Sequence, residues 1–209
     1  MKVLLLNGSP KKEGCTYTAL KVIADRLEEQ GVEAEIFHAA GKPVTGCTAC
    51  GQCGNNGHRC VFDNDGVNEA LEKLKEADAL IVGSPVYYAS PNGSIISFLD
   101  RLFYAGSMYA AYKPAAAIVS ARRAGTTATL EVLNKYFSFA KMPLISSNYW
   151  NMVHGNCPED VKKDEEGLQI MRTLADNMVW ILKCIEAGEQ AGIHKPEAEE
   201  KIYTNFIRS

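Results

Sequence analysis

Short apolar runs closed by Gly, Pro or Ser alternate with amphipathic stretches along nearly the whole chain, and this alternation restricts the fold more than any other feature. Lys2–Leu6 is an apolar run ended by Asn7-Gly8-Ser9-Pro10, which suits a strand buried on both faces. Thr16–Gln30 then sets Leu20, Ile23, Ala24 and Leu27 on one helical face, with Gly31 as its stop. Val32, Ala34 and Ile36 alternate with charged residues as a second, more exposed strand. The rhythm continues with a helix over Gly66–Glu76, a strand over Ala79–Val82, a helix over Ser94–Tyr104 and a strand over Ala115–Val119. A helix over Thr126–Ala140, a final strand over Pro143–Ser146 and a long helix over Asp164–Ala187 complete the pattern.

Five strand–helix units in series predict an α/β fold: a doubly wound, five-stranded parallel sheet with right-handed crossovers and helices on both faces. A chain of 209 residues has room for one such domain. The expected division is a domain over residues 1–187, carrying a cysteine-rich loop at 46–65, and a C-terminal arm over 188–209 rich in Gly, Pro and charge. Sheets of this kind bind ligands at the carboxyl ends of their strands, beside the switch in strand order. For the order 2-1-3-4-5, the loops meeting there are Asn7–Thr16 and Gly83–Gly93, with Ser120–Thr126 beyond.

The first of these loops joins a strand to a helix start, where unpaired backbone N–H groups and the positive end of the helix dipole favour an anion. Ser9 and Thr16 add hydroxyls, and Lys11 or Lys12 a positive charge, so a phosphate suits the loop; a plain turn capped by Thr16 is the alternative. It is not a nucleoside-triphosphate loop: five residues separate Gly8 from Gly14, and Cys15-Thr16 stands where Lys-Ser/Thr is required. The dinucleotide pattern G-x-G-x-x-G is absent from it as well. In the second loop Pro85 and Pro91 bracket Val86-Tyr87-Tyr88-Ala89-Ser90, and the two tyrosines either flank a planar ligand or cap the core. Arg122 and Arg123 either hold a phosphate or carboxylate or are solvated surface charge.

Seven cysteines are present, and Cys47-x2-Cys50-x2-Cys53-x6-Cys60 gathers four of them in one short stretch. Four thiolates suit a [4Fe–4S] cluster or a structural Zn²⁺, and a compact triple followed by a fourth leans towards the cluster; redox-active or spare thiols are the third reading. The run Val3–Leu6 ends too early for a signal peptide, and no apolar run approaches a membrane span. The expected location is therefore the cytoplasm. A net charge of −3 gives no case for a nucleic-acid partner.

Gly8-Ser9-Pro10-Lys11 with Cys15-Thr16 resembles the FMN phosphate loop of the flavodoxin-like NADPH-dependent FMN reductases. Gly83-Ser84-Pro85-Val86-Tyr87-Tyr88 is similar to the segment that passes beside the flavin in that family, and Ala121–Thr126 to its next strand-end loop. The cysteine spacing resembles that of the iron-sulfur flavoproteins, a branch of the same group. The resemblance spans most of Met1–Ile185 and implies a flavodoxin-like sheet with FMN held by Ser9, Lys11, Cys15, Thr16, Pro85, Val86, Tyr87, Tyr88, Arg122, Arg123 and Gly125. It further implies Cys47, Cys50, Cys53 and Cys60 as ligands of a [4Fe–4S] cluster. By the same resemblance NAD(P)H would deliver hydride to the flavin, and electrons would pass to a quinone-like, azo or metal acceptor. The alternative is an electron carrier loaded by a ferredoxin-like protein. A homodimer or homotetramer is expected, with helix Ser94–Tyr104 and the tail offering contact surface.

Overall fold

A computed structural model describes residues 1–204. Its strands are β1 (Lys2–Asn7), β2 (Glu33–Phe37), β3 (Ala79–Tyr87), β4 (Ser90–Pro91), β5 (Ala115–Ala121) and β6 (Met152–His154). Its helices are α1 (Cys15–Glu29), α2 (Val67–Glu76), α3 (Gly93–Ala110), α4 (Thr126–Phe139), α5 (Pro158–Val161) and α6 (Glu165–Gln190). The parallel sheet runs β2-β1-β3-β5-β6, with the two-residue β4 folded back on β3 as an antiparallel hairpin arm. Counted over the parallel strands alone, this is the expected 2-1-3-4-5 order.

The strands divide their side chains between two cores with a period of two, as strand geometry requires. Leu4, Leu6, Leu80, Val82, Ala115, Ala117 and Val119 face the layer of α2, α3 and α4. Val3, Leu5, Ala79, Ile81, Ala116 and Ile118 face α1 and α6. Burial on both faces explains why β1, β3 and β5 read as near-continuous apolar runs.

Three sequence expectations need correction. The last strand is Met152–His154, whereas Pro143–Ser146 makes only one bridge, Leu144 to Ala115. After Ile145 donates to Ala115 O (2.8 Å), the chain swings out through exposed Tyr149 and Trp150 and returns at Asn151. The Asn151 side chain stitches the excursion down, with Nδ2 donating to Ala117 O (3.1 Å). Second, β3 continues five residues past Val82 and turns into a hairpin, which the bracketing prolines had disguised as a loop. Third, α6 extends through Gln190, so the arm begins at Ala191; its last part, 205–209, lies outside the described residues.

Candidate functional site

The loop after β1 is fixed by its own polar side chains. The buried Asn7 carboxamide accepts from Ser9 N–H (3.1 Å) and donates to Lys12 O (3.0 Å), closing the turn from within. Four other strand ends hold the loop in place. Gly8 N–H donates to Gly83 O of β3 (2.8 Å), and His38 Nε2, beyond β2, donates to Ser9 O (2.8 Å). Thr16 Oγ1 pairs with Ser120 Oγ of β5 (2.9 Å), and the Cys15 thiol lies 3.7 Å from Gly155 O, just past β6. Gly8 is required sterically: a Cβ there would lie 2.6 Å from Gly83 O and 2.7 Å from Ile95 Cγ1.

Helix α1 begins one residue earlier than the periodicity implies, with Gly14 rather than Thr16 at its N-cap and no side-chain cap. The first capping backbone bond is Thr18 N–H to Gly14 O (3.0 Å), so the amides of Cys15, Thr16 and Tyr17 precede the helical ladder. No acidic residue stands in the first turn. These donors, with the helix dipole behind them, are the chemistry of a phosphate seat. Ser9 Oγ accepts from Lys11 N–H (3.1 Å) and keeps its own proton to donate. Lys11 is exposed at the loop's crest. The Thr16 hydroxyl is spent on Ser120 beneath the loop, so Thr16 can offer only its backbone N–H. Partial burial pushes the Cys15 thiol above its ordinary value, which makes it a packing group rather than a nucleophile.

Beside this loop stands the β3–β4 hairpin. Its two turn residues, Tyr88 (φ +50°) and Ala89 (φ +56°), both adopt the left-handed conformation that such turns normally assign to Asn-Gly. Residues held there cost of order 1 kcal/mol or more each and persist where the surroundings impose them. Here the Ser84 hydroxyl, accepting from Asn92 N–H (3.0 Å), ties the two ends of the hairpin together. Tyr87 and Tyr88 project from the tip and are exposed, so neither caps the core. Val86 packs inward, and Pro85 is half-buried on the strand leading to the tip. Gly125 (φ +90°) sits against the turn, where a Cβ would come within 2.8 Å of Ala89 Cα. The structure thus brings the second and third loops into contact. Arg122 and Arg123 are exposed, and no hydrogen bond or ion pair engages them among the described residues.

The cysteine loop leaves the same edge of the sheet as the phosphate loop. Apart from one turn of 3₁₀ helix at Gln52–Asn55 it lacks regular structure, and Ala49, Gly51, Gly57 and His58 all have positive φ. Cys47, Cys50, Cys53 and Cys60 nevertheless line one shared concavity together with Phe62, Arg101 and Tyr104. Burial pushes the Cys53 thiol up, and the neighbouring Cys60, Cys50 and Cys47 push it further. Four thiols around one apolar hollow are a donor set that fits an iron–sulfur cluster. Among the described residues, no three His, Cys, Asp or Glu side chains close to the spacing of a single metal ion.

What holds this loop was missed at the sequence level. Arg101 on α3 is almost completely buried and donates through Nε to Cys60 Sγ (3.2 Å), through Nη1 to Thr45 O (3.1 Å) and through Nη2 to Phe62 O (2.8 Å). Its Nη1 also pairs with the equally buried Asp65 carboxylate. Burial pulls the guanidinium pKa down, but Asp65 and Cys60 more than offset this and hold it charged. From α2, the buried Asn68 side chain accepts Cys60 N–H (2.8 Å) and donates to Cys60 O (2.9 Å). One signal was available: Arg101 lies among Ile95, Phe98, Leu99 and Leu102, and a charge so close to an apolar helical face demands a buried partner.

The model of the NADPH-dependent FMN reductase family matches residues 1–156. An iron-sulfur flavoprotein of Methanocaldococcus jannaschii is 29% identical over 194 residues, covering 89% of this chain and all of that one. Among solved structures, RosB with a bound formylriboflavin phosphate intermediate superposes with a TM-score of 0.73 at 16% identity, over 99% of this chain and 92% of the other. An archaeal flavodoxin superposes at 0.60 with 16% identity, over 88% and 99%. At such identities the two structures speak for the fold.

Proposed function

The chain belongs to the NADPH-dependent FMN reductase family, and from that membership we propose an FMN-dependent oxidoreductase that takes electrons from NAD(P)H and passes them to a small acceptor by way of a [4Fe–4S] cluster. The observation that carries the flavin is the phosphate loop, with three helix-start amides, the Ser9 hydroxyl and Lys11 gathered where four strand ends fix the backbone. Bound there, FMN would supply the two-electron and one-electron chemistry that no side chain offers. The protein's own contribution is binding and orientation. Ser9, Lys11 and the amides of Cys15 and Thr16 would hold the phosphate. Backbone groups of Pro85 and Val86, with Tyr87, Tyr88 and Gly125, would border the ring, and Arg122 and Arg123, exposed at the next strand end, would meet a second anionic group.

Cys47, Cys50, Cys53 and Cys60 would hold the cluster, and the name of the Methanocaldococcus relative supports it. Their convergence on one hollow also favours a second reading, an electron carrier loaded by a ferredoxin-like protein with no small-molecule substrate. A cytoplasmic site fits either reading. Tyr104 and Phe139 stay exposed beside Cys47, which suits association into a homodimer or homotetramer.

The deciding experiment is anaerobic purification followed by a visible spectrum, iron and acid-labile sulfide analysis, and stopped-flow reduction. Flavin bands with about four irons per chain, reduced rapidly by NADPH or NADH, are expected. Rapid reduction by ferredoxin alone would replace the enzyme with the carrier, and colourless protein would end both readings.

A further inference from the structure

Arg101 is an unusual neighbour for a cysteine. A guanidinium has five N–H donors and no acceptor, so in a buried site each donor seeks a lone pair. Two backbone carbonyls, at Thr45 and Phe62, and the Asp65 carboxylate satisfy one end of the fork. The Nε–H points at Cys60 Sγ from 3.2 Å. A neutral thiol is a weak acceptor for such a donor, whereas a thiolate or an iron-bound sulfur is a strong one. Asp65 already balances the guanidinium charge, so the bond to sulfur is not needed to neutralise the arginine. The anchored carbonyls stand on both sides of the cysteine run, Thr45 before Cys47 and Phe62 after Cys60. One rigid side chain thereby fixes the two ends of the loop and aims a charged hydrogen bond at one of its sulfurs.

We propose that Arg101 is a positioning residue for the iron–sulfur centre, closing the cysteine loop and raising the centre's reduction potential through its hydrogen bond to Cys60. The inference rests on the cluster reading given above. Reduction adds one electron to the centre, taken from the reduced flavin, with no bond made or broken at Cys60. The extra negative charge spreads onto the sulfurs, and a charged donor at one of them stabilises the reduced state more than the oxidised one. Asp65 holds the guanidinium in the orientation that makes this possible.

The test uses the anaerobically purified, full-length protein. Wild type and Arg101→Lys are compared by iron content and by redox titration followed by electron paramagnetic resonance. Lysine keeps the charge but cannot donate in a fork to Thr45, Phe62 and Cys60 together. The expected result is an iron-loaded variant whose equilibrium constant for reduction falls about tenfold, about 59 mV for one electron. A loaded variant with an unchanged potential overturns the inference while leaving the cluster intact. Should the variant fail to load, wild type grown with ¹⁵N-arginine decides the matter: pulsed resonance on the reduced centre must show an arginine nitrogen coupled to its spin, and absence of that coupling overturns the inference. Wild type without iron removes the cluster reading and this inference together.

Discussion

The phosphate loop and the cysteine loop leave the same edge of one sheet, yet they are held in opposite ways. The phosphate loop is short, lies between a strand and a helix, and is tied to β2, β3, β5 and β6 by at least one contact each. Its shape follows from the sheet, because every strand end it touches is already fixed by core packing. The cysteine loop spans residues 46–65 with a single helical turn, and its buried attachments come from two side chains, Arg101 and Asn68, reaching in from neighbouring helices, beside a part-exposed Arg59–Glu72 ion pair to α2. A site made from backbone at a sheet edge tolerates loss of one tie. A site whose main clasp is a buried charge tolerates its loss poorly.

That contrast can be broken at three points. The largest effect is expected at the clasp: Arg101→Ala leaves the buried Asp65 carboxylate without its charged partner, which should cost about 3–5 kcal/mol in urea denaturation. FMN affinity should change little, and loss of flavin in this variant would show that the two loops are one cooperative unit. Next is Gly8→Ala, whose added methyl meets Gly83 O and Ile95. Its expected cost is about 1–3 kcal/mol, with FMN binding weakened about tenfold and iron content retained; wild-type affinity by fluorescence titration would show that the loop yields freely. The smallest effect belongs to Thr16→Val, which leaves the buried Ser120 hydroxyl unpaired at about 1–2 kcal/mol. Because the α1 amides rather than the Thr16 hydroxyl face the phosphate seat, FMN affinity should stay within about twofold. A tenfold loss would place the hydroxyl back on the ligand.

Much of the phosphate edge was legible along the chain. Asn7-Gly8-Ser9 closing an apolar run, followed by a helix start, is a local pattern with a local cause. The hairpin was not legible: Tyr88-Ala89 has none of the residues that favour positive φ, and only the packing of Gly125 and the Ser84–Asn92 bond accounts for the turn. The last strand was misplaced because Pro143–Ser146 and Met152–His154 are both short and apolar, and the choice between them is made by pairing with β5, where the Asn151 side chain, 34 positions from Ala117, donates to its carbonyl. The cysteines themselves were conspicuous in the sequence, while Asp65, Asn68 and Arg101 were not.

By itself the sequence determined the class of fold, through a strand–helix periodicity that is a property of neighbours in the chain; the strand order was implied by the flavodoxin-like resemblance and agrees with the parallel sheet. The candidate phosphate loop and the four clustered cysteines were marked by turn chemistry and spacing, which are local in the same sense. Tertiary structure alone decided that Thr16 turns its hydroxyl inward, that the tyrosines leave the core, and that Arg101 meets Cys60 across 41 positions. Those outcomes depend on which buried donor finds which acceptor, and a buried polar group is satisfied by whatever the fold brings near it, however distant in sequence.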